Sequence, residues 1–549
     1  MSFKFLCMIC LTMLGAGPPD ADYVLFNARI YTVRAPGARA EALAVQGDRF
    51  VAVGSNRDVL QDFPNARKID ARGLTVVPGF TDAHAHLQGL ALKLLQADLV
   101  GTRSVQEVLD RLRAHAPSLP RDAWLVGRGW DQNDWANAEF PDRQMLDHAF
   151  PARPVWLRRI DGHAGWANSA ALEAAGISAS TPVPMGGRII RSGRGEPTGI
   201  LLDTAMDLIE QARPAADEAA LGLALGRAVE SLHQQGITGV HDAGSNLETI
   251  RRYERAVEAG ELDLRLYVMT SGIGDAFEYF CREGPLLSFR DRLTVRSVKF
   301  YSDGALGSRG AALLEDYSDD AGNQGLLRQQ QGELAEAVER AIACGFQVAI
   351  HAIGDRANRM ALDVFEAVLE QEQRDRGRHR IEHAQVVHPE DLARFGRLGI
   401  IASVQPIHAT SDMAWAESRL GRDRTMGAYA WRSLVDAGAR IALGSDFPVE
   451  EVSPLEGIHA AVARQNMDGH PPGGWYGEQA LTREEALRGF TLDAAYAAFL
   501  ENDLGSIEPG KLADFVVLSA DLMEVPEEQI PEVDVVATFV GGRRVSGGW

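Results

Sequence analysis

The sequence predicts an α/β chain: a TIM (β/α)8 barrel, a β-sandwich built from both termini, and a large insertion after the first barrel strand. Three observations predict it. Eight short, apolar, β-branched runs alternate with helical patterns through the middle of the chain, the signature of parallel βα units. Both ends instead read as short strands with Gly, Asp and Asn turns. The stretch between the first and second runs is far longer than a βα crossover needs.

Taken in order, the chain opens with Lys4 and an apolar run from Phe5 to Gly17 that ends in small residues. That pattern predicts a signal peptide over residues 1–21 and hence export to a periplasmic or extracellular location; a mis-assigned start codon would instead leave the chain cytoplasmic. The run is too short to cross a bilayer as a helix, and no later segment is apolar for long enough to do so. Tyr23 to Thr32, Leu43 to Val45 and Phe50 to Val53 read as strands, as do Phe515 to Leu518 and Val535 to Val540. Residues 22–74 and 490–549 are therefore expected to form one composite sandwich.

The first barrel strand is read as Thr75-Val76-Val77, running into Pro78-Gly79 and then Asp82-Ala-His84-Ala-His86. In extended chain, positions two apart share a face, so His84 and His86 aim at one point. The other seven candidates are Thr238 to Asp242, Leu264 to Thr270, Leu293 to Phe300, Gln347 to His351, Arg380 to His383, Ile400 to Val404 and Ile441 to Gly444. A typical barrel takes ~250 residues, whereas the run from Gly79 to Arg488 is much longer. The excess predicts that residues 75–99 and 218–489 make the barrel, with residues 100–217 inserted over its mouth.

The net charge of −21, from 76 acidic and 55 basic residues, argues against nucleic acid or an anionic membrane as partner. Only five basic residues are lysines (Lys4, Lys68, Lys93, Lys299 and Lys511), so a lysine inside a strand asks for a reason specific to a primary amine. Of four cysteines, Cys7 and Cys10 lie in the leader; Cys281 and Cys344 have neither zinc nor redox spacing, and no disulfide framework is expected.

Barrels keep their chemistry at the C-terminal ends of their strands. His84 and His86 follow the first predicted strand and Lys299 nearly ends the fourth. His351 ends the fifth, His383 the sixth, and Asp446 follows the eighth. One strand-end histidine is more often structural than a ligand. Six such residues on one face argue for a metal centre.

This set resembles the amidohydrolase superfamily. The strings His351-Ala-Ile-Gly-Asp-Arg-Ala357, Arg380-Ile-Glu-His-Ala-Gln385 and Gly444-Ser-Asp-Phe-Pro-Val449 are similar to its amidohydrolase 3 branch, which includes N-substituted formamide deformylase and YtcJ-like proteins. The resemblance implies two divalent ions, with zinc the expected metal, held by His84, His86, Lys299, His351, His383 and Asp446. It implies that Lys299 takes up CO2 as a bridging carbamate, which arginine could not become. It also implies hydrolysis of a C–N amide-type bond (an N-substituted amide, N-acyl amine or cyclic imide) by a metal-bridging hydroxide, with Asp446 as general base and then general acid. A small-molecule substrate and a homodimer follow from the same resemblance. A one-metal deaminase or a lactonase on the same scaffold is the alternative, and there Lys299 would bridge nothing. A non-enzymatic regulatory protein would be expected to show a degenerate ligand set, and all six candidates are present.

His163, in Asp161-Gly-His163, either reaches the substrate carbonyl or stabilises the insert. Trp130, Asp131 and Trp135 either line the pocket or pack the insert. Asp303 and Arg309 are read as ordering a loop, His241 and Asp242 as supporting the ligands, and Gln405 as facing the mouth. The remaining histidines, His408 among them, are read as solvated or structural.

Overall fold

A computed structural model describes residues 20–549, so the expected leader lies outside the described residues except for its last two positions. Eight parallel strands follow one another in sequence order around the barrel: Phe80–Ala85, Ile237–Ser245, Arg265–Ser271, Leu293–Tyr301, Gln347–Ala352, Arg380–His383, Ile401–Val404 and Ile441–Leu443. The ring closes at a polar seam. Across it, Asp446 N donates to His84 O (2.7 Å), His86 N donates to Phe447 O (2.9 Å), and Ser445 Oγ donates to the Asp82 carboxylate (2.6 Å).

Amphipathic helices clad the barrel. In Asp355–Val368 the buried Ala357, Met360, Ala361, Val364 and Phe365 recur at three- and four-residue spacing, giving one apolar stripe toward the strands. Leu247–Ala259 starts on an Asn246 side chain that accepts from Thr249 N, and it stops at Gly260, whose φ of 71° suits the left-handed cap. No helix among the described residues is long and apolar enough to cross a membrane.

Seven predicted strands coincide with observed ones, and the first needs correcting. Thr75–Pro78 belongs to the sandwich, paired with Phe515–Leu518 on one side and Arg29–Ile30 on the other. The barrel strand begins only at Phe80. Gly79 is the joint between the two sheets: the chain passes so close to the next barrel strand that a Cβ there would collide with the Thr238 side chain. One extended run thus serves two sheets.

The sandwich pairs a four-stranded sheet from residues 23–70 with a six-stranded sheet that combines both termini. Leu25, Val45, Phe50, Val76, Val517 and Phe539 fill the space between them, with Phe515 and Phe539 stacked at 4.2 Å. The C-terminal share begins later than residue 490, because Leu492–Ala497 packs its alanines against Ala83, Ile401 and Ala442 of the barrel. A buried ion pair from Arg265 to Asp514 (Nη2–Oδ1 2.6 Å) fastens barrel to sandwich. The inserted segment folds around a six-stranded mixed sheet running from Ala97–Asp98 to Pro197–Asp203, apolar on both faces. Cys281 and Cys344 form a disulfide (Cα–Cα 5.1 Å) between Asp275–Glu283 and the end of Gln331–Ala343, two neighbouring barrel helices.

Candidate metal centre

The first barrel strand delivers Asp82 and His84 to the interior, and His86 stands at the N-terminal boundary of the helix Leu87–Lys93 with its side chain free of any capping bond. Asp82 is almost fully buried and accepts from Ser445 N and His84 N, so the barrel seam fixes the backbone that carries the histidines. Burial pushes the Asp82 carboxyl up to about 7. His84 is sealed from solvent. Its Nδ1 meets Glu382 Oε2 at 2.5 Å, which leaves Nε2 facing the centre, 3.3 Å from Lys299 Nζ and 3.5 Å from Asp446 Oδ1. Arg380 holds Glu382 in turn (Nε–Oε1 2.7 Å). Burial pushes the Glu382 carboxyl up, but Arg380 and His84 outweigh it and keep the group well below the usual carboxylate range.

His383 repeats the arrangement. Its Nδ1 is 2.7 Å from Gln405 Oε1, and its ring lies 4.9 Å from that of His84 and 4.5 Å from that of His351. Such contacts orient an imidazole and fix which nitrogen is free to ligate. Burial lowers the pKa of His84 to about 4 and holds His351 and His383 well below the ordinary imidazole range. A neutral imidazole is the form that binds metal.

His86 Nε2 is 3.0 Å from Asp446 Oδ1. Lys299, 1% exposed, lies with its Nζ 4.8 Å from the Tyr301 ring centroid, and burial lowers its pKa to about 8. His84, His383 and Asp446 each place a donor atom within 4.8 Å of the others. Several buried atoms here lack a well-formed hydrogen bond among the described residues, His351 Nε2, Asp446 Oδ1 and Glu382 Oε1 among them; the first two have Asp303 Oδ1 (3.4 Å) and His86 Nε2 (3.0 Å), respectively, as close polar neighbours of opposite kind. Orphaned, buried donors converging from several strand ends fit a bound cation.

The backbone is unusual where the candidate ligands sit. His383, Ala384 and Asp446 all have positive φ (73°, 41° and 61°), a conformation that costs energy in residues with a Cβ. The bend at His383 breaks strand alternation, so Glu382 and His383 both reach the interior.

The insert contributes His163, whose ring lies 5.1 Å from that of His351 and whose Nδ1 is 2.7 Å from Asp203 Oδ1. Arg159 is buried and ion-paired to Asp161 and Asp131; Asp161 in turn accepts from His163 N. Trp130 and Trp135 pack against Trp166 inside the insert and do not line the pocket. Asp303 accepts from the backbone N–H groups of Ala312, Ile353 and Gly354, which orders the loop beside His351, and Arg309 pairs with Asp319. His241 Nδ1 meets Arg380 (2.9 Å), while Asp242 accepts from Leu87 N. Both brace the elements that carry the candidate ligands.

Two residues were not distinguished from sequence. Glu382 was hidden by the alternation rule, which assigns it to the face opposite His383. His408 was read as solvated or structural, yet it is buried, its Nδ1 2.8 Å from Glu450 Oε1 and its Nε2 3.5 Å from Asp446 Oδ2. The available signal was its place in Pro406–Asp412, directly after the seventh barrel strand. Burial pushes the Asp446 carboxyl up, but hydrogen bonds from His408 and His86 hold it well below the usual range.

Cavities open on two sides of this cluster, and His163, His351, His383 and Asp446 line both. A description of the amidohydrolase family fits the chain over residues 67–546. The chain is 35% identical to YtcJ of Bacillus subtilis strain 168 over 94% of its own length and 98% of YtcJ. It is 32% identical to the N-substituted formamide deformylase of Arthrobacter pascens, covering 95% of this chain and 97% of that enzyme. Among solved structures, an uncharacterized metal-dependent hydrolase of Pyrococcus horikoshii OT3 superposes with a TM-score of 0.75 at 28% identity, spanning 92% of this chain and 99% of the other. The fold, the converging donors and these similarities give one conclusion: the chain belongs to the amidohydrolase family and is a metal-dependent hydrolase acting on carbon–nitrogen bonds.

Proposed function

We propose that the chain hydrolyses an N-substituted amide or N-acyl amine at a centre of two divalent ions, with zinc the expected metal for this set of imidazole and carboxylate donors. His84, His86, Lys299, His351, His383 and Asp446 would hold the ions. The observation that supports this reading is that His84, His383 and Asp446 place donor atoms within 4.8 Å of one another, with Lys299 Nζ 3.3 Å from His84 Nε2, His86 Nε2 3.0 Å from Asp446 Oδ1 and the His351 ring 4.5 Å from that of His383. Bound ions would supply an activated water and an electrophile for the substrate carbonyl.

The remaining chemistry belongs to the protein. A Lys299 ammonium would repel cations and sits 3.3 Å from His84 Nε2. Burial instead favours the neutral amine, whose lone pair can add to the carbon of CO2; loss of a proton then leaves an anionic carbamate with two oxygens. Asp446 is held ionised, so it can take a proton from the attacking water and hand it to the leaving nitrogen as the C–N bond breaks. His163 is anchored through Nδ1 on Asp203, which leaves Nε2 to contact the substrate carbonyl.

The test is hydrolysis of a panel of N-formyl and N-acyl amines by the metal-reconstituted chain. Asp446→Asn should lower kcat by about 10²–10⁴-fold, the usual contribution of a general base. Failure of the reconstituted wild type to cleave any member, or full activity in the variant, would contradict the reading.

A further inference from the structure

The cavity on the insert side of the centre, about 460 Å³, is lined by three arginines that have no carboxylate partner. Arg128 is 9% exposed; its Nη2 donates to Ile160 O (2.9 Å), and its Nε is buried with no partner. Arg158 is half-buried. Its Nη2 donates to Gly162 O (3.1 Å), and its Nε is also buried and unpaired. The two guanidinium groups meet over Gly162, where a Cβ would lie 3.6 Å from nitrogens of both. Arg328 faces the same cavity, 5.0 Å from the Tyr301 ring centroid. Among the described residues, none of the three has a carboxylate oxygen within ion-pairing distance.

The acidic residues of this cavity close no ion pair with them, although Asp207 feels the charge of Arg328 and Arg158, and Glu210 that of Arg158. Asp161 is bound by Arg159 (2.6 Å), Asp203 by His163 (2.7 Å), Glu210 by Arg213 (2.9 Å) and Asp242 by Leu87 N (2.8 Å). Asp207 lines the wall without an ion pair. Two adjacent, like-charged guanidinium groups, one buried and one half-buried, are costly unless an anion joins them. Their planar forks suit a carboxylate, which accepts two N–H bonds at once. Gly162 precedes His163, so an anion held there is adjacent to the catalytic centre.

We propose that Arg128 and Arg158, with Arg328 opposite, form a subsite for a carboxylate carried by the substrate, so that the preferred substrates are amides of carboxylate-bearing molecules such as N-acyl amino acids. This rests on the amide-hydrolase reading above and narrows it.

The experiment compares N-formylphenylalanine with N-formylphenethylamine, which differ only in the carboxylate, as substrates of the metal-reconstituted enzyme. The expected result is a kcat/KM at least tenfold higher for the acid. Arg128→Gln and Arg158→Gln should each cut that ratio at least tenfold, chiefly through KM. Calorimetric titration with 3-phenylpropionate, which has no cleavable bond, reads the subsite independently of turnover. Its affinity should fall at least fivefold in whichever of the two variants keeps the wild-type melting temperature, while that of 3-phenylpropanamide should not. Equal 3-phenylpropionate affinity in wild type and variants would overturn the subsite, as would a preference for the neutral formamide; the latter would leave amide hydrolysis standing. Arginine-dependent 3-phenylpropionate binding without cleavage of either formamide would keep the subsite and remove the amide-hydrolase reading.

Discussion

His84 can offer Nε2 to a cation because Glu382 occupies its Nδ1, and Glu382 is available because Arg380 fixes its other oxygen. Glu382→Gln keeps the shape and removes the charge that orients the ring. Metal affinity measured by competition with a chelator should drop about 10–100-fold, the usual cost of losing such a partner; an unchanged affinity would show that Glu382 does not orient the ligand. A second residue makes a prediction about pH. Asp412 stands at the cavity wall, where it accepts from Tyr429 Oη (2.5 Å) and Gln385 Nε2 (3.2 Å), and burial pushes its carboxyl up to about 7. A carboxyl raised in the folded state binds its proton more tightly there than in the unfolded chain, whose value is ~3.9. Its contribution to stability is therefore fully present below about pH 4 and is lost as the pH rises through about 7. Asp412→Asn cannot ionise, so its stability relative to wild type should grow between those limits in denaturant titrations at successive pH values. Parallel pH profiles for the two proteins would remove Asp412 as the cause.

At the scale of elements, the candidate ligands depend on how strand ends meet. The barrel closes where Gly444 lies against the first strand, and a Cβ there would come within 2.5 Å of His84 N and 2.6 Å of Asp82 Oδ1. Gly444→Ala should force the seam apart, costing about 1–3 kcal/mol as overpacked sites do, and should weaken metal binding because the same contact sets His84 and Asp446. A melting temperature and metal affinity equal to wild type would contradict this. The strands and their order were legible in sequence because βα alternation and β-branched runs carry that information locally. Of the candidate ligands, Lys299, His351 and His383 were legible because they lie inside predicted strands, and Asp446 because it falls two residues past one; His84 and His86 were legible as a pair two positions apart. What could not be read was long-range. Thr75–Pro78 and Phe80–Ala85 form one extended run, and only pairing with Phe515–Leu518 separates them. Glu382 was hidden by a backbone bend at His383 that no propensity encodes, and His408 by a helix whose direction relative to Asp446 is a tertiary fact.

For the whole molecule, three bodies share the task. The sandwich fastens both termini to the base of the barrel through Arg265 and Asp514, the barrel carries the donors, and the insert brings His163 and the paired arginines over the mouth. The Cys281–Cys344 bond was not foreseen from spacing, because 63 residues separate cysteines that neighbouring helices bring together. Everything catalytic depends on whether the six side chains at the strand ends hold a pair of ions with Lys299 between them. The most direct measurement is metal content per chain, by elemental analysis, for protein expressed with added bicarbonate and for its Lys299→Ala variant. The account predicts about two ions per chain in the wild type and a marked fall in the variant. A single ion per chain, unaffected by the substitution, would contradict it.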